Sequence, residues 1–319
     1  MPESITAAIS ESKILRTFVG KPFLRINEWA WNRLPLTMKR FRLVLFYGAF
    51  LHSLVRLRAD RTQVHGTFFL RNRAELELIR SFVNRLPESS TLKIAILACS
   101  NGAEVYSILW TIRSARPDLS LDVYAIDISN DIVEIAKKGM YSLGENPLVH
   151  ERIFARLTEG EIDSLFEREN DQFRIRPWIA EGIHWQVGDA RDPNLAARLG
   201  PQDIVVANKF LCHMTPRDAE KCLRNLSQFV MPGGYLFVSG VDLDVRTRVA
   251  IELGWAPVQD LLEEIHNGDP SVRRDWPWRY WGLEPFDSKK PDWKTRYAAV
   301  FQVRRQEESH QTPLAHLYE

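Results

Sequence analysis

The chain has 319 residues, 45% of them hydrophobic and 26% charged, with a formal net charge of +1. That balance excludes a disordered, collagen-like or coiled-coil protein, and near-neutrality excludes polyanion binding by bulk charge. The length suits one large domain with a small companion, with enough buried apolar surface to need no disulfide or metal.

The first residues, Met1-Pro-Glu-Ser, lack the basic-then-apolar order of a signal peptide. Three cysteines, Cys99, Cys212 and Cys222, contain no C-x-x-C pair, so neither a disulfide framework nor a metal site is expected. Reduced thiols point to the cytoplasm. Residues 1–80 carry fourteen Lys/Arg against six Asp/Glu, and the remainder of the chain is correspondingly acidic. Pro22 and Pro35 punctuate this stretch, and Lys39-Arg-Phe-Arg-Leu-Val-Leu-Phe reads as helix without a breaker. Leu43–Val55 is the longest apolar run, and it is too short to span a bilayer. It reads as a buried helix, with an interfacial helix on basic flanks as the other reading. The basic face is either solvated or a docking surface for an acidic partner.

From residue 92 the texture changes. Leu92–Ala98 is a short apolar run, followed by a helix from Ala103 to about Ala115. Leu121–Ile126 is a second strand ending at Asp127, and Asn130–Lys138 a second helix. Further strands are expected at Ile183–Val187, Asp203–Ala207 and Tyr235–Ser239, a helix between Pro216 and Met231, and a closing strand at Arg296–Val303. The alternation predicts an α/β fold with a mostly parallel sheet. Residues 304–319 read as a polar tail.

In such sheets ligands bind outside the carboxyl ends of the strands. The first informative end is Ala98-Cys-Ser-Asn-Gly-Ala-Glu104, where small residues admit a ligand to the backbone and Gly102 permits a sharp turn. The second is Asp127, an acid placed to bind ribose hydroxyls. The loop is neither G-x-G-x-x-G nor G-x-x-x-x-G-K-[ST], which disfavours a dinucleotide and ATP. A nucleoside with an amino-acid tail, S-adenosylmethionine, fits better. Glu104 either binds its ammonium or ribose region, or complements the helix dipole as a first-turn acid.

Ala98-Cys-Ser-Asn-Gly-Ala-Glu-Val-Tyr-Ser107 resembles the A-C-S-x-G-E-E-P-Y-S signature of the chemotaxis receptor methyltransferases, the CheR family. Thr67-Phe-Phe-Leu-Arg71-Asn72 resembles its T-x-F-F-R element, and Tyr124-Ala-Ile-Asp127-Ile-Ser its A-x-D-I-D. Ile132–Tyr141, Asp203–Asn208 and Met231–Phe237 resemble three further elements in the same order. The resemblance covers about residues 60–240. It implies a Rossmann-like class I methyltransferase domain at residues 67–303, after a small helical domain and linker at 1–66, with a tail at 304–319. It also implies S-adenosyl-L-methionine as cofactor and an acidic, receptor-like protein substrate docking on the basic N-terminal domain. Nucleic acid and a transmembrane segment are not expected.

Carried over by position, Thr67 and Arg71 face the cofactor and the transfer site. Ala98, Ser100, Gly102, Glu104, Asp127 and Ile128 hold its methionine and ribose parts. Asp189 and Ala190 lie near the adenine, where the family has Asn-Leu, and Asn208 matches the Asn of its R-N element. Arg71 is the expected acceptor clamp, because a guanidinium binds a carboxylate in a fork. Ala207, Cys212, His213 and Met214 depart from the family on the acceptor side. If the acceptor is an amine or hydroxyl rather than a glutamate carboxylate, His213 becomes the base. A non-catalytic cofactor sensor is the third reading. Trp276, Trp278, Trp281 and Trp293 read as a packing patch or as the wall of an acceptor pocket. Cys212, His213 and Cys222 do not form a nucleophile pair, since neighbours on one strand point opposite ways.

Overall fold

The computed structural model describes residues 20–59, 61, 66–142, 153–268 and 276–303. The polar tail and most of the expected linker at 59–66 lie outside them. The chain divides into two units, Met1–Arg61 with Pro270–Pro285, and Thr62–Asp269 with Phe286–Glu319.

The first unit is helical, with α1 (Gly20–Arg33) and α2 (Arg42–Arg58) joined through a 3-10 turn at Met38–Arg40. Its small core is Trp31, Leu51 and Trp276, with Val44, Leu45 and Trp278 packed against them. The rings of Trp31 and Trp276 meet edge to face at 5.6 Å. Gly48 makes this possible, because a Cβ there would overlap both indole rings. Trp276 and Trp278, far downstream in sequence, are therefore packing residues of the helical unit.

The second unit begins with α3 (Arg73–Val83), whose N-cap Asn72 accepts the Glu75 N–H. Then come β1 (Thr91–Leu97), α4 (Ala103–Ala115), β2 (Ser120–Asp127) and α5 (Asn130–Lys138). A small antiparallel sheet follows, from β3 (Met140–Ser142), β4 (Phe166–Glu169) after α6 (Glu159–Leu165), and β5 (Gln172–Ile175). The main sheet is completed by β6 (Ile183–Val187), β7 (Gln202–Val206), β8 (Val230–Phe237) after α7 (Pro216–Leu226), β9 (Ala256–Pro257) and β10 (Val300–Gln302) after α8 (Trp293–Tyr297).

The main sheet has seven strands in the order β6-β2-β1-β7-β8-β10-β9. The first five are parallel, and β10 runs antiparallel to β8 and β9. From β1 the chain winds outward to β2 and later returns on the other side to β7. The strand order thus reverses between β1 and β7, and their carboxyl ends flank a crevice. The small sheet, order β3-β5-β4, contributes Tyr141, Phe166 and Phe173 to an aromatic cluster around Phe69. That cluster seats the segment Thr67–Leu70, which is buried throughout.

Two elements are shorter than their sequence suggests. The helix from Pro216 stops at Leu226, where the Ser227 hydroxyl donates to the Arg224 carbonyl and Phe229 and Val230 enter the core. Of the closing run, only Val300–Gln302 pairs as strand. Its start is helical because buried Arg246 donates to the Arg296 carbonyl, and Arg296 pairs with Asp244 at 2.9 Å.

Candidate functional site

At the end of β1 the backbone turns back on itself. Ala98 and Ser100 hold φ of +56° and +50°, and Gly102 +87°. For the two non-glycine residues this conformation costs about 1–2 kcal/mol each. Asp127, 3% exposed at the end of β2, offsets part of it by accepting the Ser100 N–H at 2.9 Å. Its other oxygen accepts the Ser129 N–H at 3.1 Å. Each oxygen keeps lone-pair capacity for a further donor such as a hydroxyl. Ile128 follows in sequence and is 48% exposed. The Tyr141 hydroxyl donates to the Asn101 carbonyl and the Asn101 side chain accepts the Ala103 N–H, so both ends of the turn are tied down.

Across the crevice, Asn208 follows β7. Its Nδ2 donates to Glu75 Oε1 at 2.6 Å and to Glu104 Oε1 at 2.9 Å, while its Oδ1 accepts from the backbone and hydroxyl of Ser239. One amide therefore bridges two carboxylates from different helices, α3 and α4. Burial, and then the charge of Glu104, push the Glu75 carboxyl up to about 7. Burial likewise raises Glu104, and the Asn208 hydrogen bond, Arg71 and Lys209 oppose it. Lys209 lies in the left-handed region with φ of +62°. Gly240 lets it do so: a Cβ on Gly240 would sit 2.6 Å from the Lys209 Cα.

Arg71, Asn72, Glu75, Glu104, Ser107, Asn208, Lys209 and Ser239 line one pocket. Arg71 emerges from the buried Thr67–Leu70 segment, where the Leu70 N–H donates to the Ser107 hydroxyl at 3.0 Å. Its guanidinium lies 5.1 Å from the Phe68 ring, and Arg156 stacks on the same ring at 3.8 Å while donating to the Arg71 carbonyl.

The structure thus brings Arg71, Glu104 and Asn208 into one pocket. It places Ala98, Ser100 and Gly102 in the turn after β1 and Asp127 at the end of β2, hydrogen-bonded to that turn, with Thr67 buried just upstream of Arg71. Asp189 lies two residues beyond β6, where a fork from Arg191 holds its carboxyl below the usual range. The Ala190 carbonyl accepts from Asn225 at 2.7 Å. His213 is half-buried on a 3-10 turn, Leu211–His213, rather than on a strand, and is not among the residues lining the pocket. Cys212 is buried on the same turn, and burial pushes the Cys222 thiol up to about 12 and raises Cys99 also. A thiolate nucleophile has no support in those surroundings.

Sequence reasoning missed Glu75, Lys209 and Ser239. A signal for Glu75 was present, since Asn72-Arg-Ala-Glu75 is an N-cap with an acid three residues on. That pattern is ordinarily satisfied at the helix end, whereas this acid turns into the crevice.

The donor set fits S-adenosylmethionine. Two buried carboxylates of raised pKa suit an ammonium, and Asp127 retains capacity for a ribose diol. Fold and site together define an α/β domain for an amino-acid-bearing nucleoside. A family model described as the SAM-binding domain of the CheR methyltransferases matches residues 65–243, and the chain belongs to that family. It is 25% identical over 175 residues to a biofilm-formation methyltransferase, WspC, of Pseudomonas aeruginosa, covering 54% of this chain and 40% of that one. The Pseudomonas putida WspC is 28% identical over 219 residues, covering 65% of this chain and 48% of the relative. A chemotaxis protein methyltransferase of Listeria innocua is 25% identical over 180 residues, covering 56% and 64%. The chain spans between two fifths and two thirds of the length of these relatives.

Proposed function

We propose that the protein transfers the methyl group of S-adenosylmethionine to a carboxylate, a glutamate side chain of a protein substrate. The observation that carries this reading is the pairing, in one pocket, of the Asn208-bridged carboxylates Glu75 and Glu104 with the cations Arg71 and Lys209. The cofactor, when bound, supplies an electrophilic methyl group on a sulfonium. Glu104 and Glu75 hold the tail's ammonium, with Asn208 fixing their orientation. Asp127 accepts from the ribose hydroxyls, and Ile128 and the Asp189–Ala190 rim border the base.

A carboxylate acceptor is already ionised at neutral pH, so no residue has to remove a proton. What it requires is desolvation and alignment. Arg71 provides both, because it offers parallel donors from a site backed by the Phe68 ring. His213 has no required step in this scheme. The excess basic charge of residues 1–80 draws a negative surface toward the chain.

Calorimetry with S-adenosylhomocysteine, followed by turnover, tests the assignment. Arg71→Lys keeps the charge and loses the fork. It should cut turnover about tenfold or more while changing cofactor affinity less, and His213→Ala should be close to neutral. A dead His213→Ala enzyme with a pH–rate limb would instead indicate an amine or hydroxyl acceptor.

A further inference from the structure

The helical unit is apolar on two sides. On α2, Val44, Leu45, Gly48 and Leu51 face the small core with Trp31 and Trp276. The opposite stripe, Leu43, Phe46, Tyr47, Phe50, Leu54 and Leu57, keeps helical spacing over four turns, with Leu43, Phe46, Tyr47 and Leu57 exposed and Phe50 and Leu54 half-buried. Leu43 is 84% exposed and Phe46 71%. On α1, Ile26 and Trp29 are 66% and 59% exposed. Ten of the sixteen exposed large hydrophobic side chains among the described residues fall within residues 23–57. Isolated exposed apolar residues are ordinary, but a continuous stripe marks a surface that something covers.

Charge identifies what covers it. Residues 20–58 contain eight Lys/Arg and one acidic residue, Glu28. Exposed Arg40 and Arg42 flank the stripe at one end, while Arg56 and Arg58 at the other end are half-buried. A second copy of the chain would bring two such basic surfaces together, which electrostatics opposes. An anionic lipid surface satisfies both features at once. It accepts Leu, Phe and Trp to the acyl boundary and holds the basic side chains at the headgroups, and it needs no matching shape. Among the described residues no helix is long and apolar enough to cross a membrane, so α2 would lie in its plane.

We infer that the outward face of α1 and α2 is a peripheral membrane-binding surface selective for anionic lipids. The inference goes beyond the methyl-transfer reading and does not depend on it. Acceptors held at a membrane surface would then be presented to an enzyme that shares the surface, at a raised local concentration.

The test is co-sedimentation of the full chain with vesicles of phosphatidylcholine alone or mixed with phosphatidylserine. Binding should be at least about tenfold stronger to the mixed vesicles and should weaken with added salt. Leu43→Ser with Phe46→Ser, and separately Arg40→Glu with Arg42→Glu, should each lower vesicle affinity about tenfold or more, with an unchanged melting transition and unchanged S-adenosylhomocysteine binding. Because Leu43 and Phe46 are exposed, the serine pair should leave the fold intact, and the charge pair supports the same conclusion without touching apolar side chains. No binding above the neutral vesicles overturns the inference. So does a chain that is dimeric in solution and becomes monomeric with the serine pair, which would assign the face to a second copy. Salt-sensitive binding of a polyglutamate probe without vesicle binding would assign it to an acidic protein.

Discussion

Asn208 is the residue on which the pocket turns. Its single amide donor group serves two buried carboxylates, and two like charges that close resist ionising together. Glu75 ordinarily titrates near 4.5 and is raised to about 7 here, with Glu104, Arg71 and Lys209 as the charged groups facing it. The folded chain therefore holds the Glu75 proton more tightly than the unfolded chain. The stability this gives is fully present below about pH 4.5 and is lost as pH rises through about 7. Glu75→Gln keeps a hydrogen-bond acceptor for Asn208 and removes the charge, so its melting temperature should exceed that of the wild type at pH 8 and converge with it near pH 5. Thermal melts across that range read this directly, and parallel pH profiles would show that Glu75 ionises alike in the folded and unfolded chain, which contradicts the raised value. Cofactor affinity should rise with pH through about 7 in the wild type, because the ammonium needs the carboxylates charged.

Asp127 poses a simpler residue-scale test. It holds the turn through Ser100 and Ser129 and is the proposed ribose acceptor. Asp127→Ala should weaken S-adenosylhomocysteine binding by about 1–3 kcal/mol in calorimetry. Unchanged affinity would remove it from the site. Asp127 was legible in the sequence because it terminates an apolar strand about twenty-five residues after a glycine turn. Lys209 and Ser239 were not, because their roles depend on β7 and β8 lying side by side, and pairing between distant strands leaves no local pattern.

At the scale of elements, the helices Ala103–Ala115 and Asn130–Lys138 and the strand Ile183–Val187 stand where periodicity and punctuation place them. The small sheet does not announce itself in the same way. In β4 only Phe166 is buried, followed by exposed Glu167, Arg168 and Glu169, so the alternation is hidden by charge. The usable signal was the two-residue loop Asn170-Asp171 between β4 and β5, where Asn170 takes φ of +55°. The tryptophan segment was harder still. Its packing on Trp31 and Gly48 joins segments more than two thirds of the chain apart, and Gly48 inside a helix reads only as a weak position until the rings above it are seen. Gly48→Ala should destabilise the helical unit by about 1–3 kcal/mol in denaturant unfolding followed by tryptophan fluorescence. Gly160→Ala in α6, where an added Cβ meets nothing within 4 Å, should be neutral or stabilising by up to about 1 kcal/mol.

Across the whole molecule, composition averages to near-neutrality and conceals a division of labour. The basic, outwardly apolar residues belong to the helical unit, and the buried acids belong to the crevice of the α/β unit. The fold class and the turn that borders the candidate site were readable because β1, that turn and β2 are contiguous in sequence. On the acceptor side Arg71 was named from its motif, but Lys209 and Ser239 were not, since they come from segments distant from Arg71 in sequence, and the family's Arg before Asn208 is replaced by buried Ala207.

The central claim is that a carboxylate receives the methyl group. The most direct measurement is to incubate the protein with methyl-labelled S-adenosylmethionine and a protein extract of its own source, then treat the labelled product with mild alkali. The account predicts label in the protein fraction that mild alkali releases as methanol, as an ester requires, and loss of that label with Arg71→Lys. Label that survives alkali, or label confined to small molecules, would contradict it.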